Sequence, residues 1–279
     1  MEVIVVTPVT HDTLAYLERV KHYFRKISLV VTKHKVLDIE LPYKTISKYD
    51  KVVMQESLAY FADTNVAILD IGGTMIPYLH LFEKKINIVE DTRNGYLKYS
   101  KLKPQKNLKW DSVHDSEYKV VEDYLVGQSI VESASVWLRQ QGLNLRTMSL
   151  GVIGFGRIGQ SVAEHLSHIS SNIIVRDLNH AREILAQAKG FKTHMSSKVE
   201  QRVLEQVSFC CTGSKLRYLF GDSYVFPCTS IDDEFLRVPS NVPFSGVPIN
   251  FMHGTNATKF MWALQHEMIT KLLKLCTTI

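Results

Sequence analysis

A two-domain α/β protein built on parallel sheets is what the sequence predicts, on three observations. Short β-rich runs alternate with helical patterns in two separate blocks, one long amphipathic stretch lies between the blocks, and a glycine-rich turn opens the second. The length, 279 residues at 45% hydrophobic and 22% charged, is enough to bury two cores and excludes a disordered chain.

The first block opens strand, helix, strand. Val3–Val6 is β-branched, Thr13–Phe24 carries Leu14, Leu17, Val20 and Phe24 at helical spacing, and Ile27–Thr32 is again β-rich. It continues through a short β-rich Lys51–Val53, a helical pattern around Ser57–Ala62, a strand Val66–Asp70 ending at Gly72-Gly73, a helix near Ile76–Phe82 and a strand Ile86–Val89. Lys98, Lys101, Lys103, Lys106 and Lys109 then read as a solvated connecting loop rather than a nucleic-acid contact. Glu117 to Gln141 is the long amphipathic helix, stopped by Gly142.

The second block reads Leu150–Ile153 (strand), Ile158–Leu166 (helix), Ile173–Asp177 (strand) and Ala181–Ala188 (helix), then strands near Val207–Thr212 and Tyr224–Pro227. A last helix, Lys259 to Leu275, is apolar at Phe260, Leu264, Met268 and Leu272, and is expected to pack back on the first domain. The predicted domains are therefore residues 1–115, completed by a C-terminal helix over 258–279, and residues 116–257, led by the interdomain helix.

The formal net charge is +5, a mild excess spread along the chain. No run approaches the ~18 apolar residues of a membrane span, and MEVIVVTPVTHD lacks a basic leader, so a cytoplasmic protein without membrane or nucleic-acid partners is expected. Cys210, Cys211, Cys228 and Cys276 show no C-x-x-C spacing, which points to free thiols and no metal site.

Chemistry concentrates at Gly154-Phe155-Gly156-Arg157-Ile158-Gly159, a G-x-G-x-x-G that follows the strand LGVI and opens a helix. Gly154 permits the tight turn, Gly156 lets backbone approach a pyrophosphate, and Gly159 lets helix lie close on strand. Phosphates there meet free N–H groups and the positive end of the helix dipole. The next β-rich run ends in Asp177, 23 residues after Gly154. That is near the ~20 expected of a ribose-binding acid, and a carboxylate there selects NAD over NADP. Arg176 beside it could soften that choice, although adjacent strand residues point to opposite faces.

From Ile68 to about Gly213 the sequence resembles the S-adenosylhomocysteine hydrolase family. The segments that carry this are ILDIGG (68–73), VEDTRNG (89–95), DYLVGQS (123–129), GLNLRTMSLGVIGFGRIG (142–159) and CCTG (210–213). The resemblance implies a Rossmann NAD-binding domain and a smaller flavodoxin-like parallel α/β domain, joined by long helices and closing over a small-molecule substrate. It also implies a homodimer or higher homo-oligomer.

In that family bound NAD oxidises a ribose hydroxyl, a thiol is eliminated, water adds and the ketone is reduced back. By the resemblance Lys119 and Asp123 are catalytic, Asp91 and Thr92 hold the ribose with Asp91 also assigned a catalytic role, and Asp70 binds substrate. Thr212, Gly213 and Asn250 join the fingerprint in holding NAD. A Lys that hydrogen-bonds the hydroxyl relays its proton as hydride leaves, and Asp123 is expected to orient that ammonium.

The elimination machinery departs from the family. Its second loop Asp is Ile71, its Asn-Asp-Ser is His114-Asp115-Ser116, and its Asn-Ile-Gly-His is Cys228-Thr229-Ser230-Ile231. An isoleucine cannot move a proton, whereas His114 is a candidate replacement acid or base. His253, beside Asn250, has no assigned role. The expectation is an NAD-dependent oxidoreductase that does not hydrolyse adenosylhomocysteine; the alternatives are a divergent working hydrolase and a non-catalytic NAD-binding regulator. A 2-hydroxyacid dehydrogenase is a weaker reading, since its Arg, Glu and His set has no evident place.

Overall fold

The computed structural model describes residues 2–10, 12–35, 42–194, 201–213, 218–229, 235, 240–243, 249 and 258–277. It divides into two compact units, Met1–Lys119 with Thr258–Ile279, and Val120–Ala257.

The first unit runs β1 (Glu2–Val9), α1 (Thr13–Lys21), β2 (Lys26–Lys35), β3 (Lys44–Ser47), α2 (Lys51–Ala59) and β4 (Val66–Asp70). A 3-10 turn (Ile76–Leu81), β5 (Ile86–Glu90), α3 (Arg93–Tyr99) and β6 (Leu108–Ser112) follow, and a C-terminal helix, Thr258–Thr277, completes it. The sheet has the order β3-β2-β1-β4-β5-β6, with every pair parallel. Without the four-residue edge strand β3, this is the 2-1-3-4-5 order of flavodoxin-like sheets.

Both faces are covered, which is why the strands are apolar runs rather than alternating ones. Val3 and Val5 of β1 pack with Leu17 and Val20 of α1 and with Leu264, Met268 and Leu272 of the C-terminal helix. Ile4 and Val6 pack on the opposite face with Met54 and Leu58 of α2 and with Phe82.

Two expectations are corrected here. Lys51–Val53 is the first turn of α2, because the Asp50 carboxylate accepts from the Val53 N–H at 3.0 Å and caps a helix there. The strand of this stretch is β3, where Ile46 is the one buried residue, too little to make an apolar run. The lysine-rich stretch is not a connecting loop throughout: it ends α3 and begins β6, and Lys98 donates to the Gly72 carbonyl at 2.8 Å.

In the second unit α4 (Glu117–Gln140), which begins three residues before the division between the units, leads to β7 (Leu150–Ile153), α5 (Arg157–Ser167), β8 (Ile173–Arg176) and α6 (His180–Ala188). Then come β9 (Lys192–Thr193), β10 (Gln201–Arg202), β11 (Val207–Cys210), β12 (Tyr218–Leu219) and β13 (Tyr224–Pro227). The main sheet is parallel in the order β13-β11-β7-β8-β9, a Rossmann arrangement with its switch point between β7 and β11. The stop at Gly142 has φ +75°, and Leu143 N–H closes back on the Leu138 carbonyl at 2.9 Å. Ile130, Ala134 and Leu138 of α4 share one core with Val162 and Leu166 of α5 and with Val152 and Phe209 of the sheet. Among the described residues no helix is long and apolar enough to cross a membrane.

Candidate cofactor-binding and active-site residues

The glycine-rich turn lies between β7 and α5, at the carboxyl end of the central strand and beside the switch point. Gly154 has φ +92°, a conformation side chains avoid. A Cβ on it would sit 2.9 Å from the Cys211 carbonyl and from Thr212. This brings Thr212, with Gly213 next in the chain, to the same turn. A Cβ on Gly159 would lie 1.8 Å from the Gly154 carbonyl oxygen, so helix and strand meet backbone to backbone. At Gly156 a Cβ would meet nothing nearer than an Arg182 guanidinium nitrogen at 4.0 Å among the described residues. The same glycine caps α5 without a side chain, leaving the helix start open toward an anion.

Asp177 follows β8 and is buried. Its Oδ2 accepts from the Phe155 N–H at 2.6 Å and from Arg182 at 3.4 Å, and its Oδ1 accepts from the Asn179 N–H at 2.8 Å. The ribose acid thus also fixes the shape of the turn. Arg176 is turned away from it, buried on Glu205 at 2.6 and 2.9 Å, so it does not stand where a 2′-phosphate would be read. Phe155 is fully buried and Ile158 packs on the core, so these two act through backbone and packing. Arg157 pairs with Asp123 at 2.8 Å. A tight turn, an open Gly156 and a buried acid after the second strand are the features a dinucleotide needs, and these residues fit one.

In the first unit the carboxyl ends of β4, β5 and β6 gather Asp70, Glu90, Asp91 and His114. Asp70 has no exposed surface and accepts from the Ile71 and Met75 N–H groups and, at 2.6 Å, from the Tyr99 hydroxyl. These contacts anchor the loop after β4. Thr92 is likewise committed: it caps α3 by accepting from Gly95 N–H and donates its hydroxyl to Glu90 at 2.7 Å.

Glu90 is the residue that sequence reasoning missed. Buried at the end of β5, it accepts from Gly72 and Gly73 N–H (2.8 and 3.0 Å) and from Thr92 N–H (2.7 Å) as well as from the Thr92 hydroxyl. Burial and the Asp70 charge beside it push its carboxyl up to about 8, and burial pushes Asp70 up as well. Its signal in the sequence is an acid closing the apolar run INIVE.

Lys119, buried, lies 3.1 Å from Asp91. Asp123, four residues further along α4, receives Arg157 at 2.8 Å. A second missed group is Tyr16 of α1, whose hydroxyl is held well above its usual range by burial and by Asp91. His114 stacks on Tyr96 at 3.5 Å between ring centroids, with Nε2 2.9 Å from Asp115. Asn250, Ile231 and His253 lie outside the described residues. The four cysteines are free thiols, three of them buried.

Residues 127–209 match the family described as D-isomer specific 2-hydroxyacid dehydrogenase, NAD binding domain. The second unit is an NAD-binding Rossmann domain, and NAD is its cofactor. A dipicolinate synthase polypeptide from Bacillus halodurans shares the fold, with a TM-score of 0.56 and 12% identity over 97% of this chain and 98% of that one. Looser likenesses are its Bacillus subtilis counterpart, also a dipicolinate synthase (TM-score 0.48, 10% identity, 98% of this chain and 97% of that one), and a phosphoglycerate oxidoreductase from Vibrio cholerae (0.47, 11%, 98% and 99%). No curated protein sequence matches the chain. The matched family is a dehydrogenase, not the hydrolase family that the sequence motifs resemble.

Proposed function

We propose that the protein is an NAD-dependent oxidoreductase that interconverts a secondary alcohol and a ketone on a small molecule. The supporting observation is the buried Lys119–Asp91 pair, 3.1 Å apart, carried in the same chain as an NAD-binding domain. NAD, when bound, supplies a hydride acceptor. Lys119 hydrogen-bonds the substrate oxygen; as the carbonyl forms, the lysine passes one ammonium proton to Asp91, 3.1 Å away, and takes the hydroxyl proton in its place. Hydrolysis of adenosylhomocysteine is not part of the activity, because Ile71 stands where the elimination chemistry needs an acid. Loss of one positioned acid or base costs about 10²–10⁴ in rate. Self-association as a dimer belongs to the same proposal, and light scattering checks it.

The test is nicotinamide absorbance during incubation with secondary alcohols and ketones. A change is expected with wild type and none with Lys119→Met, whose NAD affinity stays within about twofold. Adenosylhomocysteine is expected to release no thiol. Thiol release at enzymatic rates, or a fully active Lys119→Met, overturns the reading. The match over residues 127–209 favours one second reading, a dehydrogenase of 2-hydroxy acids. Turnover confined to 2-keto acids in the same assay selects it.

A further inference from the structure

We propose that Arg182 is a cofactor-binding residue, a cation that turns to the dinucleotide's pyrophosphate and yields its place on Asp177 to the ribose. Its side chain reaches from the first turn of α6 back over the glycine-rich turn and touches two functional positions at once. One guanidinium nitrogen lies 3.4 Å from Asp177 Oδ2. The same nitrogen is 4.0 Å from where a Gly156 Cβ would stand, and among the described residues, the chain neighbours of Gly156 apart, no other heavy atom comes as near. Gly156 is the glycine whose missing side chain makes room for the phosphates, so the guanidinium stands at the edge of the phosphate space.

The Asp177 contacts say which way this arginine moves. The carboxylate holds the Phe155 N–H at 2.6 Å and the Asn179 N–H at 2.8 Å, both fixed by backbone, and Arg182 at 3.4 Å. The Arg182 contact is the longest of the three and the only one of them on a rotatable side chain, which is about a third exposed. Of these three, the Arg182 contact is the one that a ribose hydroxyl reaching Asp177 displaces most readily. The displaced cation then has the pyrophosphate beside it, where a planar guanidinium forms paired, charge-assisted hydrogen bonds. The other arginine of the turn, Arg157, is meanwhile engaged by Asp123 at 2.8 Å.

Titration with ADP-ribose, which carries the phosphates without the nicotinamide, tests this at low and high salt. Arg182→Gln is expected to weaken binding about tenfold at low salt and to show a shallower salt dependence than wild type, while Arg182→Lys keeps most of the affinity. Matched urea midpoints for the two variants show that neither acts through folding. Unchanged affinity in Arg182→Gln overturns the proposal. So does a loss with the wild-type salt dependence, since that places Arg182 only as a support for Asp177. A loss seen with 2′,5′-ADP but not with ADP-ribose also overturns it, by putting the cation at the 2′ edge.

Discussion

Replacing Gly159 and Gly156 by alanine, one at a time, separates a glycine needed by the fold from a glycine needed by the ligand. At Gly159 the new Cβ would sit 1.8 Å from the Gly154 carbonyl oxygen and 2.9 Å from its carbon. Reaching even a 3.0 Å contact requires α5 to lift from the turn by about 1.2 Å, and the Gly154 peptide is held in a tight turn whose N–H is bonded to the Arg176 carbonyl at 2.7 Å. Overpacking of this kind costs about 1–3 kcal/mol. The upper end applies, because no flexible side chain absorbs the strain. Alanine returns about 1 kcal/mol of helix propensity. The net loss is then about 2 kcal/mol, near thirtyfold in the folding equilibrium. At Gly156 the Cβ meets, beyond its chain neighbours, only the Arg182 guanidinium at 4.0 Å among the described residues, and the backbone, with φ −71° and ψ −171°, suits any residue. The lost flexibility of the unfolded chain and the poorer cap roughly cancel, leaving stability within about 1 kcal/mol.

Urea denaturation with an unchanged slope measures both stabilities, and calorimetric titration with NAD measures affinity. Gly159→Ala is expected to lower the midpoint and to weaken NAD as α5 shifts. Gly156→Ala is expected to keep the midpoint and lose at least about tenfold in NAD affinity, since its methyl group stands in the phosphate space. A Gly159→Ala protein as stable as wild type, or a Gly156→Ala protein that binds NAD normally, refutes the reasoning.

Three further outcomes are expected. Glu90 titrates near 8 when folded against an ordinary 4.5, so its contribution to stability is full below about pH 4.5 and is lost as pH rises through 8. Urea midpoints across that window are expected to fall for wild type and to flatten in Glu90→Gln. Arg176→Met strands the Glu205 carboxylate in the core and is expected to cost about 3–5 kcal/mol, whereas the double replacement Arg176→Met with Glu205→Leu recovers most of it; urea melts of both check this. Asp177→Ala is expected to cost on the order of 1–3 kcal/mol of NAD binding through lost hydrogen bonds, read by calorimetry, and to narrow the preference for NAD over NADP.

The NAD-binding turn was legible in the sequence because its requirements are local. Gly154, Gly156 and Gly159 answer steric demands within six residues, and Asp177 follows at the distance one strand–helix–strand unit imposes. The apolar strands were legible for a similar reason: a parallel sheet covered on both faces leaves continuous hydrophobic runs such as VAILD and INIVE. Strand β3 was not legible, because an edge strand with only Ile46 buried writes no such run.

The partners of the charged groups were decided by tertiary structure alone. Lys119 and Asp123, four apart on one helix, suggest a pair by spacing; the fold brings Asp91 from the end of β5 to the lysine and Arg157 from the start of α5 to the acid. Asp70 and Thr92 look like ligands in a motif, but the loops that β4 and β5 bring together claim their oxygens for backbone N–H groups and for Tyr99 and Glu90. Arg182 carries no motif at all, and only the return of α6 beside the turn places it near Gly156. Hydrophobic periodicity and glycine sterics are properties of a few consecutive residues, so one sequence suffices to read them. A long charged side chain chooses among every partner within its reach, and that set exists only once the strands are side by side.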